Sequence, residues 1–289
     1  MSHAFNTLIK NDIKADAIVS TDGGFYSSIH IIDSIKTEIP IFTTHTTYPF
    51  PLTNIDKKRI FYFSHNESFE KIIYPHENTN NIYFPMEGSV IMPALRIANF
   101  LNPKYIIFAG CDFCHLNDKS HSKYSNAVAL DFLNENKLNT FENLKYKRLN
   151  DNQNIECYDN ILRKSSDSLI SYKMHFETLA NEIIKETEIF NLTKESAKIE
   201  NIKIFNNVNS NNKKNIIVNN YIEETINENE FIKKLESFIN NLDNEIEENF
   251  ANMISPYHFS ALKENKISKI EFKEYIIKWY NEVKLILNF

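Results

Sequence analysis

The chain has 289 residues, 24% of them charged and 42% hydrophobic, with a net charge of −6. It is long enough to bury one large core or two smaller ones, and its balance excludes a disordered or fibrous protein. The negative charge gives no general attraction to nucleic acid or anionic lipid.

No continuous apolar run reaches the roughly 18 residues of a membrane span. The start, MSHAFNTLIKNDIKADAIV, lacks the basic and apolar segments of a secretory signal, so a cytoplasmic protein is expected.

SHAFNTLIKNDI sets Phe5, Leu8, Ile9 and Ile13 on one helical face, and ADAIVST then reads as a buried strand ending at Thr21. IPIFTT (39–44), RIFYFS (59–64), NIYF (81–84) and KYIIFAG (104–110) are four more short apolar strands. Between the last two, GSVIMPALRIANFLN puts Val90, Ala94, Leu95, Ile97, Ala98 and Leu101 on an apolar helix face. Ser89 is the expected N-cap, and Pro93 falls near the first turn, where it is tolerated. Strands alternating with helices predict an α/β fold with a doubly wound, mainly parallel sheet.

Beyond residue 150 the spacing predicts a helix over 165–190, with Leu169, Tyr172, Phe176, Leu179, Ile183 and Phe190 along its apolar side. Residues 191–205 return to loop with room for a strand, and 206–217 form an Asn-rich linker. The predicted organisation is an α/β domain over 1–205, that linker, and a helical region over 218–289. In the helical region Ile232, Leu235, Phe238, Ile239, Leu242, Ile246 and Phe250 follow helical spacing. Ser268 to Glu271 forms a capping box ahead of Tyr275, Ile276, Trp279, Val283 and Ile286. These stripes read as packing surface, with recognition of a protein acceptor as the sharper alternative.

The chain has four glycines, Gly23, Gly24, Gly88 and Gly110, where average usage would give about twenty. All four flank predicted strands, where glycine serves positive φ or close backbone approach. In a doubly wound sheet, ligands bind beyond the carboxyl ends of the strands. The candidates are therefore Asp22, Gly23 and Gly24 after the first strand, Gly88 and Ser89 before the long helix, and Gly110 and Asp112 after the fifth strand, with His121 farther along. Backbone N–H groups at Gly88 and Ser89 suit a phosphate. Asp22 and Asp112 suit a cation, a ribose hydroxyl or an amine, although an Asp after a strand is more often a turn or cap residue.

Cys111-Asp-Phe-Cys114-His115 spells the haem-attachment pattern. Such attachment belongs to exported proteins and needs a second axial ligand. The spacing to His121 matches no common zinc site, and the isolated Cys157 leaves no disulfide framework. The cysteines read instead as small, half-buried residues where a strand ends.

Taken together, ADAIVSTDGGFYSSIH, GSVIMPALRIANFLNPKYIIFAGCDF, DKSHSK and NLTKESAKI resemble, in order and spacing, the core domain of the bacterial motility accessory factors. These are flagellin-modifying glycosyltransferases, and they share the domain with the archaeal 6-hydroxymethylpterin diphosphokinase (MptE-like) family. The resemblance covers about residues 3 to 200. It implies a Rossmann-like domain related to sialyltransferases. The implied activity moves a nonulosonic acid from a CMP-linked donor to Ser or Thr of flagellin in the cytoplasm, with no required cofactor. Asp22, Gly23, Gly24, Gly88, Ser89 and Gly110 would then meet nucleotide or sugar. Asp112 and His121 would be catalytic, His121 as general base, because imidazole takes a hydroxyl proton near neutral pH.

The sequence departs from the family pattern twice. The family's Gly-x-Gly-Pro-Ser strand and turn lie upstream of the first helix seen here, and this sequence, which starts after them, is expected to lack that first Gly-rich strand. Glu87 replaces a usual glycine and brings negative charge beside the expected phosphate site. Two alternatives follow. One is an MptE-like diphosphokinase using ATP and Mg²⁺, with Asp22 and Asp112 as metal ligands. The other is a truncated, non-catalytic binding remnant.

Overall fold

A computed structural model describes residues 4–25, 29–65, 83–117, 119, 121–149, 153–206, 228–241, 251 and 256–287. The chain divides into two compact units, residues 1–63 with 84–221, and residues 64–83 with 222–289.

The first unit opens with α1 (Phe5–Lys10), whose Phe5 is buried. The helix stops after six residues, and Asp12 turns left-handed at φ 55°. Ile13 therefore lies beyond the predicted apolar face, and Ile9 and Ile13 are exposed. Strands β1 (Ile18–Ser20), β2 (Ile41–Thr43) and β3 (Ile60–Tyr62) form a parallel ladder in that order. Its register aligns Ile18, Ile41 and Ile60. These β-branched residues stand on one face of the sheet and pack with Phe5, Ile31, Leu52 and Ile55 into one core. A 3-10 turn at Ile32–Lys36 lies between β1 and β2, and the single-turn α2 (Pro49–Leu52) between β2 and β3.

A second parallel ladder runs β4 (Tyr105–Phe108), β7 (Glu188–Asn191), β8 (Lys203–Ile204). Helices α3 (Ile91–Phe100) and α6 (Asp167–Ile183) supply its core. Ile91, Met92 and Leu95 of α3 meet Phe176, Leu179, Ala180 and Ile183 of α6 over Ile106 and Ile189. The N-cap of α3 is Val90, without a side-chain cap, in place of the expected Ser89. Ser89 contributes its carbonyl, which accepts from Met92 N–H at 3.2 Å. Pro93 is the third helical residue, where no intrahelical donor is missed. Helix α6 is shorter than the apolar pattern predicts, because Glu188–Asn191 pairs with β4 and draws Phe190 into the sheet.

Between the second ladder's outer elements lie α4 (Asn126–Leu133), α5 (Phe141–Leu149) and an antiparallel hairpin of β5 (Gln153–Glu156) and β6 (Leu162–Ser165). The hairpin was not expected from the sequence. Its turn carries Asn160 at φ 61°, and the Asp159 carboxylate accepts two hydrogen bonds from Arg163 at 2.7 and 2.6 Å.

The second unit contains a parallel bridge between Ser64 and Tyr83 and the helices α7 (Glu228–Asn241), α8 (Pro256–Lys263) and α9 (Lys269–Leu287). Leu235, Phe238, Ala251, Phe259, Phe272 and Ile276 form its core. The capping box closes as the sequence predicts: Glu271 N–H donates to Ser268 Oγ at 3.2 Å and Ser268 N–H to Glu271 Oε2 at 2.7 Å. The linker positions 207–217, the stripe residues Leu242, Ile246 and Phe250, and positions 81 and 82 of the fourth predicted strand lie outside the described residues, as do the side chains of Ile232, Trp279, Val283 and Ile286.

The architecture is thus mainly parallel α/β followed by helices, as expected. Among the described residues, no helix is long and apolar enough to cross a membrane.

Candidate functional site

The end of β1 and the end of β2 are locked together. Ser20 C=O accepts from Thr43 Oγ1 at 2.9 Å and Thr47 Oγ1 at 3.2 Å, and Thr44 Oγ1 lies within hydrogen-bond reach of both Thr46 and Thr47. Thr43, Thr44 and Thr47 are buried, so this hydroxyl network satisfies polar groups that water cannot reach. Tyr48 N–H then donates to Asp22 C=O at 3.2 Å, and Gly24 N–H donates to Asp22 Oδ1 at 2.8 Å. Gly23 is pressed so closely on this loop that a Cβ there would lie 2.5 Å from Thr46 O. The predicted turn Asp22-Gly23-Gly24 therefore owes its glycine to backbone approach. The role of the threonine-rich loop against it, residues 44–47, escaped the sequence reading because it exists only across strands.

His30 completes this corner. It is 8% exposed, and its imidazole is held below its ordinary pKa by burial first and by the neighbouring His121 second, against the opposing pull of Asp22. Asp22 and His121, singled out separately in the sequence, thus converge on a residue that was not. The convergence has a visible frame. Thr7 Oγ1 donates to Ser122 Oγ at 2.8 Å. Asn6 Nδ2 donates to Asn126 Oδ1 at 2.8 Å and to Asp33 Oδ2 at 2.9 Å. Asn126 Nδ2 donates to Ile29 C=O, one residue before His30. The loop bearing His121 is therefore tied both to α1 and to the turn bearing His30.

Asp112 belongs to a different cluster. Gly110, at φ 75°, makes the left-handed turn after β4. Asp112 C=O accepts from Ala197 N–H at 2.8 Å, while its buried Oδ1 has no hydrogen-bond partner among the described residues. Burial, and then the charge of Glu195, push this carboxyl above the usual range. Around it the thiols of Cys111 and Cys114 are also pushed up by burial, Cys114 to about 12. All three cysteines are buried and unlinked, and Cys111 fills core beside Phe113 and Phe176.

Gly88, at φ 76°, lies at the start of α3, where a Cβ would meet the Tyr172 ring at 3.5 Å. It borders a cleft of about 550 Å³ whose lining includes Glu87, Arg96, Tyr172, His175 and Glu182. Arg96 Nε donates to Glu87 Oε2 at 3.1 Å, and Arg96 Nη2 to Oε1. The negative charge that Glu87 brings is therefore answered in place by a guanidinium. Among the described residues, no group of three His, Cys, Asp or Glu side chains is arranged to hold a metal ion.

Comparison with known proteins agrees with the resemblance read from the sequence. Residues 1–118 match the family model described as 6-hydroxymethylpterin diphosphokinase MptE-like. The structure is similar to that of a MAf glycosyltransferase from Magnetospirillum magneticum AMB-1, with a TM-score of 0.53 and 11% identity. The match covers 71% of this chain and 28% of that one, so this chain spans a little over a quarter of that protein's length. No curated protein matches the sequence.

Proposed function

We propose that the chain is a motility-accessory-factor-like glycosyltransferase that moves a nonulosonic, sialic-acid-like sugar from a CMP-linked donor to a Ser or Thr hydroxyl of flagellin or another acceptor protein. The observation that carries this reading is that the loop bearing His121 is bonded through Asn126 to the backbone beside His30, whose imidazole feels both His121 and Asp22, and Asp22 follows the carboxyl end of β1, where parallel α/β sheets bind ligands. His121 takes the proton of the acceptor hydroxyl. The hydroxyl oxygen bonds to the anomeric carbon as the bond from that carbon to the CMP phosphate breaks, and CMP leaves with the electron pair. The cleft beside Gly88 is of a size for a small-molecule site, and the N-terminus of the ten-residue α3 favours a phosphate there. The similarity to a MAf glycosyltransferase fold supports the same reading.

A second reading rests on the family model itself: diphosphate transfer from ATP to a hydroxymethylated pterin. It requires Mg²⁺ bridging the phosphates, with Asp22 and Asp112 as protein ligands. Asp22 and Asp112 lie in separate clusters, and among the described residues no group of three His, Cys, Asp or Glu side chains is arranged to hold a metal ion, which favours the first reading.

Thermal-shift titration with CMP, a CMP-linked nonulosonate and ATP, each with and without Mg²⁺, separates them, because a ligand bound only by the folded chain raises Tm. Stabilisation by the CMP compounds supports the transfer of a nonulosonic sugar. Mg²⁺-dependent stabilisation by ATP alone moves the assignment to the diphosphokinase. Indifference to all of them leaves a non-catalytic binding role.

A further inference from the structure

We propose that Cys114 and Cys157 form an oxidisable pair, a modification site at which a peroxide closes a disulfide between the loop after β4 and the end of β5. Their sulfurs are 3.9 Å apart, although 43 residues separate them in sequence. The approach is held from both sides. Phe113 C=O accepts from Ser165 Oγ at 2.8 Å, and His115 N–H donates to Lys164 C=O at 2.9 Å. The residues flanking Cys114 are thus bonded to β6, the partner strand of β5. Cys157, directly after β5, is fixed by its bridge to Ala197 and by its N–H bond to Ile161 C=O at 3.1 Å. Closing a bond of about 2.05 Å needs each sulfur to move in by only about 1 Å. The bridge would replace the bond from Cys114 Sγ to Glu195 C=O, now 3.7 Å. It would also stiffen the loop that carries Asp112.

The order of events follows from burial. Cys114 is 6% exposed and Cys157 0%, so Cys114 meets the oxidant first. Its sulfur attacks one oxygen of hydrogen peroxide, giving a sulfenic acid and one water. Cys157 sulfur then displaces the sulfenic hydroxyl, forming the S–S bond and releasing a second water. One peroxide is reduced to two waters, two thiols are oxidised to one disulfide, and both thiol protons leave in water. Buried thiols react slowly, so the bridge builds over prolonged exposure and refolding in peroxide accelerates it. The inference does not depend on the transfer reading.

The test is made on the unsubstituted full chain, so no variant has to fold. The protein is held in hydrogen peroxide, in the folded state and during refolding, then denatured, alkylated, weighed intact and mapped by proteolysis. The expected result is a mass loss of about 2 Da before alkylation, one alkylated thiol at Cys111, a linked peptide containing Cys114 and Cys157, a raised Tm, and return of three thiols with dithiothreitol. Three free thiols after both treatments would overturn the proposal. So would Cys114 recovered as a sulfinic acid beside a free Cys157, or a bridge that includes Cys111.

Discussion

Gly23 and Thr46 meet backbone to backbone: a Cβ on Gly23 would stand 2.5 Å from the Thr46 carbonyl oxygen. No side-chain rotation relieves that contact, so Gly23→Ala has to part the loops after β1 and β2. Overpacking of this kind costs about 1–3 kcal/mol. Urea denaturation should show that loss. Wild-type stability for the variant would show that the two loops separate freely.

His121→Asn should leave nucleotide stabilisation in place while lowering transfer to an acceptor hydroxyl by about 10²–10⁴-fold, the usual contribution of a general base. Equal loss of binding and turnover would instead make His121 a ligand contact.

His30 gives a pH signature of known sign. Its folded pKa lies below the ordinary 6.5, so the unfolded chain binds the proton more readily. The group costs no stability above 6.5, and stability falls as pH drops from 6.5 through the folded value. His30→Asn should flatten that decline, read as urea midpoints at about pH 7.5 and about pH 5.5. An unchanged decline would assign it to other groups.

Asp112 has the opposite consequence at neutral pH. Burial and Glu195 raise its folded pKa above 3.8, so ionisation weakens the folded state above that folded value and the penalty vanishes as pH falls below the unfolded one. Asp112→Asn should raise Tm at pH 7, with the gain shrinking toward about pH 4. A lowered Tm at pH 7 would mean that the carboxylate has a stabilising contact.

The half-buried pair of Glu87 and Arg96 is bidentate, with side chains 16% and 23% exposed. Replacing either partner alone, Glu87→Gln or Arg96→Met, should cost about 1–3 kcal/mol, and the double replacement less than the sum. Additive losses in the cycle would show that the two groups do not interact.

The strands β1 to β4 and the turns at Asp22 and Gly88 are readable in the sequence because they depend on neighbours: β-branched runs make strands, and in a chain so poor in glycine each survivor marks a backbone demand. The Ser268–Glu271 capping box is local for the same reason. His30 was not readable. Its significance comes from His121, brought to it by ties such as the Asn6–Asn126 bond across 120 residues, and no spacing rule reaches that far. The β5–β6 hairpin hides for another reason, since QNIE and LRKS lack apolar alternation and gain their place by pairing with each other.

Helix α1 buries one side chain, Phe5, yet its Asn6 and Thr7 hold the far loop that bears His121. The opening turn of the chain works as a guy-rope rather than as a wall. Damage to it, whether by a bulky amino-terminal fusion or by Asn6→Ala, should therefore register as slackness at residues 121–126, visible as faster amide exchange there, while the sheet beneath keeps its protection.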